Sequence, residues 1–287
     1  MKLYCIIDPK KNSKTKSLLQ KACIEKSVDY VEIDIRSNKF DFVNCPRPAA
    51  GDCLYRVIAN DKNAKKIEFA LIKDSIATFY ADNSHDYIFR PHAGIKLEKF
   101  GIPVPKTIPV ITSDRDILKI YAEALGGFPI IIKAMGGKEG VGVMRVDSSD
   151  SLYSVADYLY KQDEDFILRE YIDVRESIRL VVLGEKVIAC MKYKALAGKD
   201  FRSNRRTPLD NAEIFDASAE LQKLAVDSVK CMGLEFGGVD ILLDKNNKPY
   251  VLEVNSPFNF VEAQEFTKID IAGLAVEHLI KKAEAKK

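Results

Sequence analysis

YVLEVNSPFNF, residues 250–260, is typical of a short strand that stops at a Ser-Pro turn. Side chains alternate between the two faces of a strand, so Glu253 and Asn255 are predicted to share one face. A carboxylate buried in a sheet without a partner is costly. We therefore expect a cation next to Glu253.

The segment upstream, GGVDILLDKNNKP, predicts that this strand is half of a hairpin, because two apolar runs flank a turn-forming centre. If the turn centres on Asn246-Asn247, Asp240 lies directly opposite Glu253, with Cβ atoms about 5 Å apart. Like charges placed in this way destabilise a hairpin unless a cation lies between them. Two carboxylates with the Asn255 amide, and no Cys or His nearby, indicate a site for Mg²⁺ or Mn²⁺. The alternative is a pair of acids on a solvated face.

Length and composition are those of an ordinary soluble protein with two or three subdomains: 287 residues, of which 47% are hydrophobic and 30% charged. The net charge of +2 indicates neither a nucleic acid nor an anionic membrane as a partner. No apolar stretch approaches the length of a membrane span, and the first apolar run is too short for a signal peptide. Six scattered cysteines without a CxxC motif favour free thiols in the cytoplasm.

The first part of the chain, residues 1–90, has a β-α-β pattern that predicts a small α/β domain with a parallel sheet. Its helix is expected near residues 15–26, and two further short strands near 53–58 and 69–72. A GxGxxG dinucleotide motif is absent from the sequence.

The remainder divides into two parts. The first, residues 91–172, predicts a short helix ending at Gly101 and an extended, proline-rich connector. Residues 111–172 then predict the order α-β-loop-β-α-β, with a first long helix capped by Ser113. Residues 173–287 predict a hairpin turning at Gly184-Glu185, a basic loop, a helix ending at Gly233, the acidic hairpin and a last helix. The fold class is therefore mixed α/β and α+β.

A lysine and a glycine-rich loop follow the strand FPIIIKA. Lys133 ends this buried apolar strand, where a lysine needs an anion. The loop GGKEGVG comes next, and glycines let backbone N–H groups approach phosphate oxygens. It joins two strands and lacks a GK[ST] ending, so it is not a P-loop, and an ordinary hairpin turn is the alternative. The candidate phosphate-binding residues of the loop are Gly136, Gly137, Gly140, Val141 and Gly142.

The segment REYIDVRES is a candidate base-binding segment. A strand that ends at Glu170, Tyr171 and Ile172 and then breaks into a polar loop can present backbone groups to a flat base. Glu176 or Ser177 could then reach a ribose hydroxyl. An ordinary strand exit is the alternative.

The segment KDFRSNRR gathers Arg202, Asn204, Arg205 and Arg206 in one loop. Arginine suits bidentate contacts with phosphate or carboxylate groups. A solvated basic loop is the alternative. A nucleic-acid patch has little support, because Phe201 is the only nearby aromatic side chain that could stack.

In this order along the chain, the segments resemble the RimK-like carboxylate–amine ligases of the ATP-grasp superfamily. The similarity covers about residues 90 to 280 and is carried by FPIIIKAMGGKEGVGVMRV, ILREYI, DFRSN, GGVDILL, LEVNSP and DIAGLAVEHLI. The first ninety residues resemble the family only in their pattern. The resemblance implies an N-terminal α/β domain followed by two ATP-grasp subdomains, residues 91–172 and 173–287, that grip ATP between them.

The resemblance also implies roles for individual residues. Lys133 would contact the α- and β-phosphates, with Arg90, or alternatively Lys96, as a second phosphate cation. Glu170 to Ile172 would form the adenine hinge, and Glu176 would substitute for a ribose-binding acid whose place is taken by Ser177. The remaining assignments are two Mg²⁺ ions on Asp240, Glu253 and Asn255, the transferred phosphoryl group on Arg202 and Asn204, and Arg179 near the reacting carboxylate.

The sequence departs from the family pattern at several points. The hinge loop is about two residues shorter, RRTPLD stands in place of an Arg-Gly-Gly segment, and Asn255-Ser256-Pro257-Phe258 shortens an Asn-x-Ser-Pro-Gly motif. These changes affect substrate and phosphate positioning. They leave Lys133 and the predicted metal-binding residues in place.

The activity implied by the resemblance is ATP-dependent amide formation through an acyl phosphate, with ADP and phosphate as products. An amino acid such as glutamate would be joined to a peptide, protein, carrier or cofactor carboxylate. Members of this family often form dimers or tetramers. The alternative function is a non-catalytic, synapsin-like ATP-binding regulatory protein.

Overall fold

The computed structural model describes the chain in seven segments, without the side chains of Arg175 and Lys194: residues 1–37, 45–59, 61–82, 93–110, 112–134, 140–194 and 212–286. These segments contain a three-stranded, a four-stranded and a five-stranded sheet. The mixed α/β and α+β class predicted from the sequence is confirmed.

The three-stranded sheet lies at the N-terminus. Its part of the chain comprises β1 (Lys2–Ile7), α1 (Ser13–Glu25), β2 (Asp29–Asp34), β3 (Cys53–Arg56) and α2 (Lys62–Leu71). The strands run parallel in the order β2-β1-β3, as the β-α-β pattern predicts.

The prediction of a strand near residues 69–72 is wrong, because most of this segment forms the last turn of α2. Asp61 caps the helix by accepting hydrogen bonds from two backbone N–H groups of its first turn. Ala64, Ile67 and Leu71 are buried, and spacings of three and four residues place them on one face of a helix. A short apolar run cannot by itself distinguish a strand from such a helix.

The four-stranded sheet is antiparallel, in the order β4-β7-β5-β6. Its part of the chain comprises α3 (Ala93–Lys99), β4 (Thr107–Val110), α4 (Arg115–Ala124), β5 (Ile130–Ala134), β6 (Val143–Val146), α5 (Ser149–Lys161) and β7 (Phe166–Glu170). The cap of α4 is Asp114, which accepts a hydrogen bond from the Ile117 N–H, rather than the predicted Ser113. The edge strand β4, which the sequence did not predict, accommodates Pro109 because an edge strand can lack one ladder donor.

The five-stranded sheet is also antiparallel, in the order β10-β9-β8-β11-β12. Its part of the chain comprises β8 (Val174–Leu183), β9 (Lys186–Lys194), β10 (Ala212–Ile214), α6 (Ala219–Cys231), β11 (Phe236–Asp244), β12 (Pro249–Asn255), α7 (Val261–Thr267) and α8 (Ile271–Glu284). The predicted hairpin turn at Gly184-Glu185 joins β8 to β9. None of the helices in the described segments is long and apolar enough to cross a bilayer.

The buried side chains form three clusters that are divided unequally among the sheets. The four-stranded sheet has a cluster of its own, in which Leu118 and Leu152 from α4 and α5 cover the strands. The three-stranded and five-stranded sheets share the other two clusters. One contains Ile6 of β1 together with Ile241 of β11, and the other combines residues from α1, α8, β3 and β11. The N-terminal and C-terminal parts are therefore packed into one body.

An ionic cluster fastens α8 to this body. Glu235, just before β11, lies with its Oε2 atom 2.9 Å from His278 Nε2 and 2.7 Å from Lys282 Nζ. Lys282 also donates a hydrogen bond to the Tyr80 carbonyl in the N-terminal part. Burial alone would raise the pKa of Glu235, but its contacts with His278 and Lys282 hold that pKa below the ordinary value. The carboxylate therefore stabilises the fold in its charged form.

Glu235→Gln should lower the free energy of unfolding by about 1–2 kcal/mol at pH 7, because charge-assisted hydrogen bonds to two basic side chains are lost. A carboxylate with a depressed pKa in the folded state contributes stability above its unfolded pKa of about 4.3, and this contribution disappears as the pH falls through the folded value. The difference in the free energy of unfolding between wild type and Glu235→Gln should therefore become smaller as the pH falls. Urea unfolding at pH 7 and at successively lower pH measures it, and a constant difference would contradict the ionic origin.

Candidate active site

The acidic hairpin β11–β12 has the register predicted from the sequence around its carboxylates. Asp240 lies opposite Glu253, and Gly238 lies opposite Asn255. The register shifts by one residue between Asp240 and Ile241, where a bulge interrupts the ladder. The bulge lies next to the paired acids, and bulges commonly re-aim side chains at functional sites.

The three polar side chains of the hairpin contact one another. The Asn255 Nδ2 atom donates to Asp240 Oδ2 at 3.2 Å and to Glu253 Oε1 at 3.0 Å. On the neighbouring strand, Arg179 donates to both oxygens of Asp240, through Nε at 2.7 Å and Nη2 at 2.9 Å. Burial raises the pKa of Asp240, and the charge of Arg179 offsets part of this increase. Asp240 in turn raises the pKa of Arg179. One expected cationic partner of the acid pair is therefore Arg179.

A second cation reaches the acid pair from the other sheet. Lys133, at the end of β5, places its Nζ atom 3.9 Å from Glu253 Oε2. Burial lowers the pKa of Lys133, and Glu253 counteracts the effect. Lys133 is half-buried and lies near a carboxylate, and the contact bridges the four-stranded and five-stranded sheets.

A cleft lies between these two sheets and is lined in part by Glu253 of the acid pair. Ile131 and Val143 form its wall on the four-stranded sheet, and Leu242 and Leu252 form its wall on the five-stranded sheet. Two facing apolar walls can accept a flat aromatic ring. The complete set of residues that line the cleft is Pro105, Ile131, Lys133, Gly140, Val143, Arg169, Glu170, Tyr171, Ile172, Val174, Leu242, Leu252 and Glu253.

The proposed hinge segment borders the cleft. Residues 171–173 belong to neither β7 nor β8, so their backbone groups lie outside both strands. Glu170 is turned toward the preceding connection, where its Oε1 atom accepts a hydrogen bond from the Lys106 N–H at 2.7 Å. Arg145 stacks over the Tyr171 ring, with its guanidinium carbon 4.7 Å from the ring centroid. These contacts fix the segment beside the apolar walls.

The two alternatives for a ribose contact lie on opposite faces of β8. Ser177 pairs with Leu242, one of the cleft-lining residues. Glu176 is the next residue along an alternating strand, and its carboxylate lies 3.7 Å from Lys192 Nζ. Lys192 also approaches Glu213 at 3.7 Å, so its charge is offset within the protein. Neither residue is among those that line the cleft, but Ser177 lies on the cleft side of β8 and Glu176 does not.

Arg169 lines the cleft and was not identified from the sequence. It lies in β7, and its Nε atom donates to Thr107 Oγ1 on β4 at 3.0 Å. The available signal was an arginine inside the apolar run FILRE, since a buried guanidinium needs partners. Lys96, an alternative phosphate cation, is not among the lining residues and instead acts on the Cys231 thiol, whose pKa is raised by burial and lowered by Lys96.

The family model of the RimK-like ATP-grasp domain matches residues 92–279. The chain belongs to the RimK-like ATP-grasp family. The matched segment begins just before α3 and ends within α8, so it contains the cleft, both of its walls and the acid pair.

Two relatives carry the name probable alpha-L-glutamate ligase. The one from Pseudoalteromonas atlantica is 35% identical over 192 residues, which is 66% of this chain and 62% of that protein. The one from Ectopseudomonas mendocina is 35% identical over 190 residues, with the same coverages of 66% and 62%. The match thus spans less than two thirds of the length of these relatives.

Solved structures show that the ATP-grasp fold extends over the whole chain. The D-cycloserine synthetase DcsG matches with a TM-score of 0.74 at 13% identity, covering 99% of this chain and 100% of that one. The ATP-grasp ligase PsnB, complexed with a minimal precursor, matches with a TM-score of 0.73 at 16% identity, covering 100% and 99%. The D-alanine–D-alanine ligase from Bacillus anthracis, complexed with ATP, gives 0.68 at 17% identity, covering 99% and 97%.

The RimK-like chain has a donor set that fits Mg²⁺ in the presence of phosphates. No group of three or more His, Cys, Asp or Glu side chains within the described segments could hold a metal ion alone. The acid pair offers two carboxylates and the adjacent Asn255 amide, and Mg²⁺ is usually held by one or two carboxylates together with substrate phosphates. Asp240, Glu253 and Asn255 would therefore hold the ion jointly with a nucleotide.

Part of the predicted site lies outside the described residues, namely Arg90, Gly136, Gly137, Arg202 and Asn204. The described end of the glycine-rich loop returns toward β5. Gly140 and Gly142 have φ values of +79° and +81°, which favour glycine. A Cβ atom at Gly142 would also lie 3.3 Å from Ala134 Cβ. Val141, which lies between Gly140 and Gly142 in the sequence, is exposed.

Proposed function

We propose that the protein is an ATP-dependent carboxylate–amine ligase that forms an amide bond through an acyl phosphate. The observation that carries this proposal is the arrangement of Lys133 opposite the Asp240–Glu253–Asn255 group, beside an apolar cleft. Apolar walls that can accept a base, a cation suited to phosphates and an acid pair suited to metal ions therefore border one cleft. A bound Mg-nucleotide contains these same three kinds of group.

The residues around the cleft would position ATP and leave the bond changes to the substrates. Glu170, Tyr171 and Ile172 would contact the base, Ser177 the ribose, and Lys133 the phosphates. Two Mg²⁺ ions on the acid pair and Asn255 would neutralise negative charge on the phosphates. Arg202, Asn204, Arg90 and the loop glycines Gly136 and Gly137 are assigned to the phosphoryl groups by their match to the family pattern.

The chemistry has two displacements. A carboxylate oxygen of the acid substrate attacks the γ-phosphorus, and the bond to the β-γ bridging oxygen breaks, which releases ADP. The amine then attacks the acyl carbon, loses a proton and displaces inorganic phosphate. Arg179, held in place by Asp240, would orient the carboxylate and stabilise charge on the acyl phosphate.

The substrate proposal is an amino acid, with glutamate as the first candidate, joined to a carboxylate of a peptide, protein, carrier or cofactor. The names of the two relatives support glutamate. The structures of PsnB with a minimal precursor and of the macrocyclase MdnC bound with precursor peptide MdnA support a peptide. A homo-oligomer is part of the proposal on the basis of family resemblance.

Nucleotide product analysis tests the function. Purified protein with Mg²⁺ and ATP should release ADP and phosphate only when pools of carboxylates and amines are both present, and splitting the pools identifies the pair. AMP as the product would refute an acyl phosphate formed by γ-phosphoryl transfer. Tight Mg-ATP binding without turnover, including with peptide and protein acceptors, would favour the regulatory alternative.

A further inference from the structure

Arg169 occupies the middle of the cleft wall on the four-stranded sheet. It lies opposite Ile131 on β5 and opposite Thr107 on β4, so the three side chains share one row across the sheet. Ile131 lines the cleft, and Arg169 does so as well. The hydrogen bond from Arg169 Nε to Thr107 Oγ1 positions the guanidinium group. This bond does not use the two terminal nitrogens.

The terminal nitrogens of Arg169 lie in a space that a glycine keeps open. A Cβ atom on Gly94 of α3 would lie 3.3 Å from Arg169 Nη2, so a larger residue would crowd the guanidinium. Across the segments that the structure describes, Thr107 Oγ1 is the only hydrogen-bond acceptor of Arg169. Four of its five N–H donors therefore have no acceptor within those segments.

Two cations, Lys133 and Arg169, and two carboxylates, Glu170 and Glu253, line the cleft. Asp240 accepts hydrogen bonds from Nε and Nη2 of Arg179. The Glu170 carboxylate accepts a hydrogen bond from the Lys106 N–H. Glu253 is then the acid whose charge acts on both Lys133 and Arg169. Both Lys133 and Arg169 are only partly exposed to solvent. The phosphates of a nucleotide would bring further negative charge, which these two cations could contact.

Lys133 and Arg169 are close enough to bind the same anionic group. Arg169 lies opposite Ile131, two residues before Lys133 on the same strand, so the two cations are diagonal neighbours on one face. Diagonal cross-strand residues are about 7–8 Å apart at the backbone, within reach of two long side chains. A guanidinium fork suits the oxygens of a phosphate group, which it can contact with two parallel hydrogen bonds.

We propose that Arg169 is a further phosphate-binding cation of the nucleotide site and contacts the polyphosphate chain together with Lys133. This inference rests on the proposed nucleotide-binding function and adds to it a residue outside the motifs on which that function was assigned. It also gives the site a phosphate cation besides Arg90, which lies outside the described segments.

Binding measurements with a series of ligands test the proposal. The dissociation constants of ATP, ADP, AMP and adenosine are measured with Mg²⁺ for wild type, Arg169→Gln and Arg169→Lys. Arg115→Gln, an exposed arginine on α4, is the matched control. Arg169→Gln should weaken ATP and ADP by about 10- to 100-fold, as expected for a charge-assisted contact, and should leave adenosine within about twofold. Arg169→Lys keeps the charge but not the forked guanidinium group, so its affinity for ATP should lie between those of wild type and Arg169→Gln.

The ligand series separates the possible failures. Equal weakening of adenosine and ATP in the Arg169→Gln variant would place Arg169 at the base or in a purely structural role and would overturn the proposal. Unchanged affinity for ATP in both Arg169 variants would overturn it as well. Wild-type protein that binds none of the adenine nucleotides would refute the nucleotide-binding function itself. Thermal unfolding of Arg169→Lys, whose side chain can still fill the space, checks that folding is intact.

Discussion

Replacement of Glu253 by glutamine is expected to lower ATP-dependent turnover about a thousandfold, equivalent to about 4 kcal/mol of transition-state stabilisation, while the protein remains folded. Glutamine has nearly the same shape as glutamate and can still accept the hydrogen bond from Asn255 Nδ2. It lacks the charge that would hold Mg²⁺ beside the nucleotide phosphates. It also removes the nearest counter-charge of Lys133, 3.9 Å away.

The comparison needs a carboxylate that lies away from the cleft on the same sheet. Glu185, in the turn between β8 and β9, is exposed and pairs with Lys230 at 2.7 Å, so Glu185→Gln should retain wild-type turnover. A second measurement does not depend on catalysis. Mg²⁺ should tighten ADP binding to the wild type and should lose most of this effect in Glu253→Gln. Turnover within a few-fold of wild type, with Mg²⁺ still tightening ADP binding, would remove Glu253 from the metal site.

The replacement Asp240→Asn should have a different signature, with a large loss of stability in addition to lost activity. Asp240 is 6% exposed and accepts two hydrogen bonds from Arg179. Removing its charge leaves the guanidinium without its counter-ion in a mostly buried position. We expect the free energy of unfolding to fall by about 2–3 kcal/mol, below the values for fully buried pairs, because about a third of the Arg179 side chain is exposed.

A double-mutant cycle isolates this effect. Arg179→Gln combined with Asp240→Asn removes both charges, so the double variant should be more stable than Asp240→Asn alone. The surface pair of Arg115 and Asp157, separated by 3.7 Å with Arg115 67% exposed, provides the matched cycle, and its coupling should be below about 0.5 kcal/mol. Urea unfolding of all variants gives the coupling energies. Additive effects at Arg179 and Asp240 would contradict a buried ion pair.

The part of the site that sequence reasoning could predict depended on local rules. The opposition of Asp240 and Glu253 followed from strand alternation and from a turn whose centre could be located in the sequence. Lys133 could be assigned because a lysine at the end of an apolar strand has few ways to remain charged. Both deductions use residues within one hairpin or one strand, where periodicity fixes direction.

The parts that could not be predicted depend on contacts between distant strands. Alternation alone requires that Glu176 and Ser177 point to opposite faces, but only the pairing of β8 with β11 shows that Ser177 lies on the cleft side. Arg169 is similar, because its direction is set by Ile131 and Thr107 on neighbouring strands. The helix that contains Phe69 was mistaken for a strand because its cap and buried face outweigh the local preference of a short apolar run.

The hydrophobic clusters that join the first and last sheets have a consequence for how the chain can be dissected. The family signature begins at residue 92, yet the apolar faces of β8 and β11 are completed by side chains from β1 and β3. A fragment that starts at residue 92 would expose those faces and should not be an autonomous folding unit. The four-stranded sheet encloses its own cluster, so its packing depends least on the N-terminal strands.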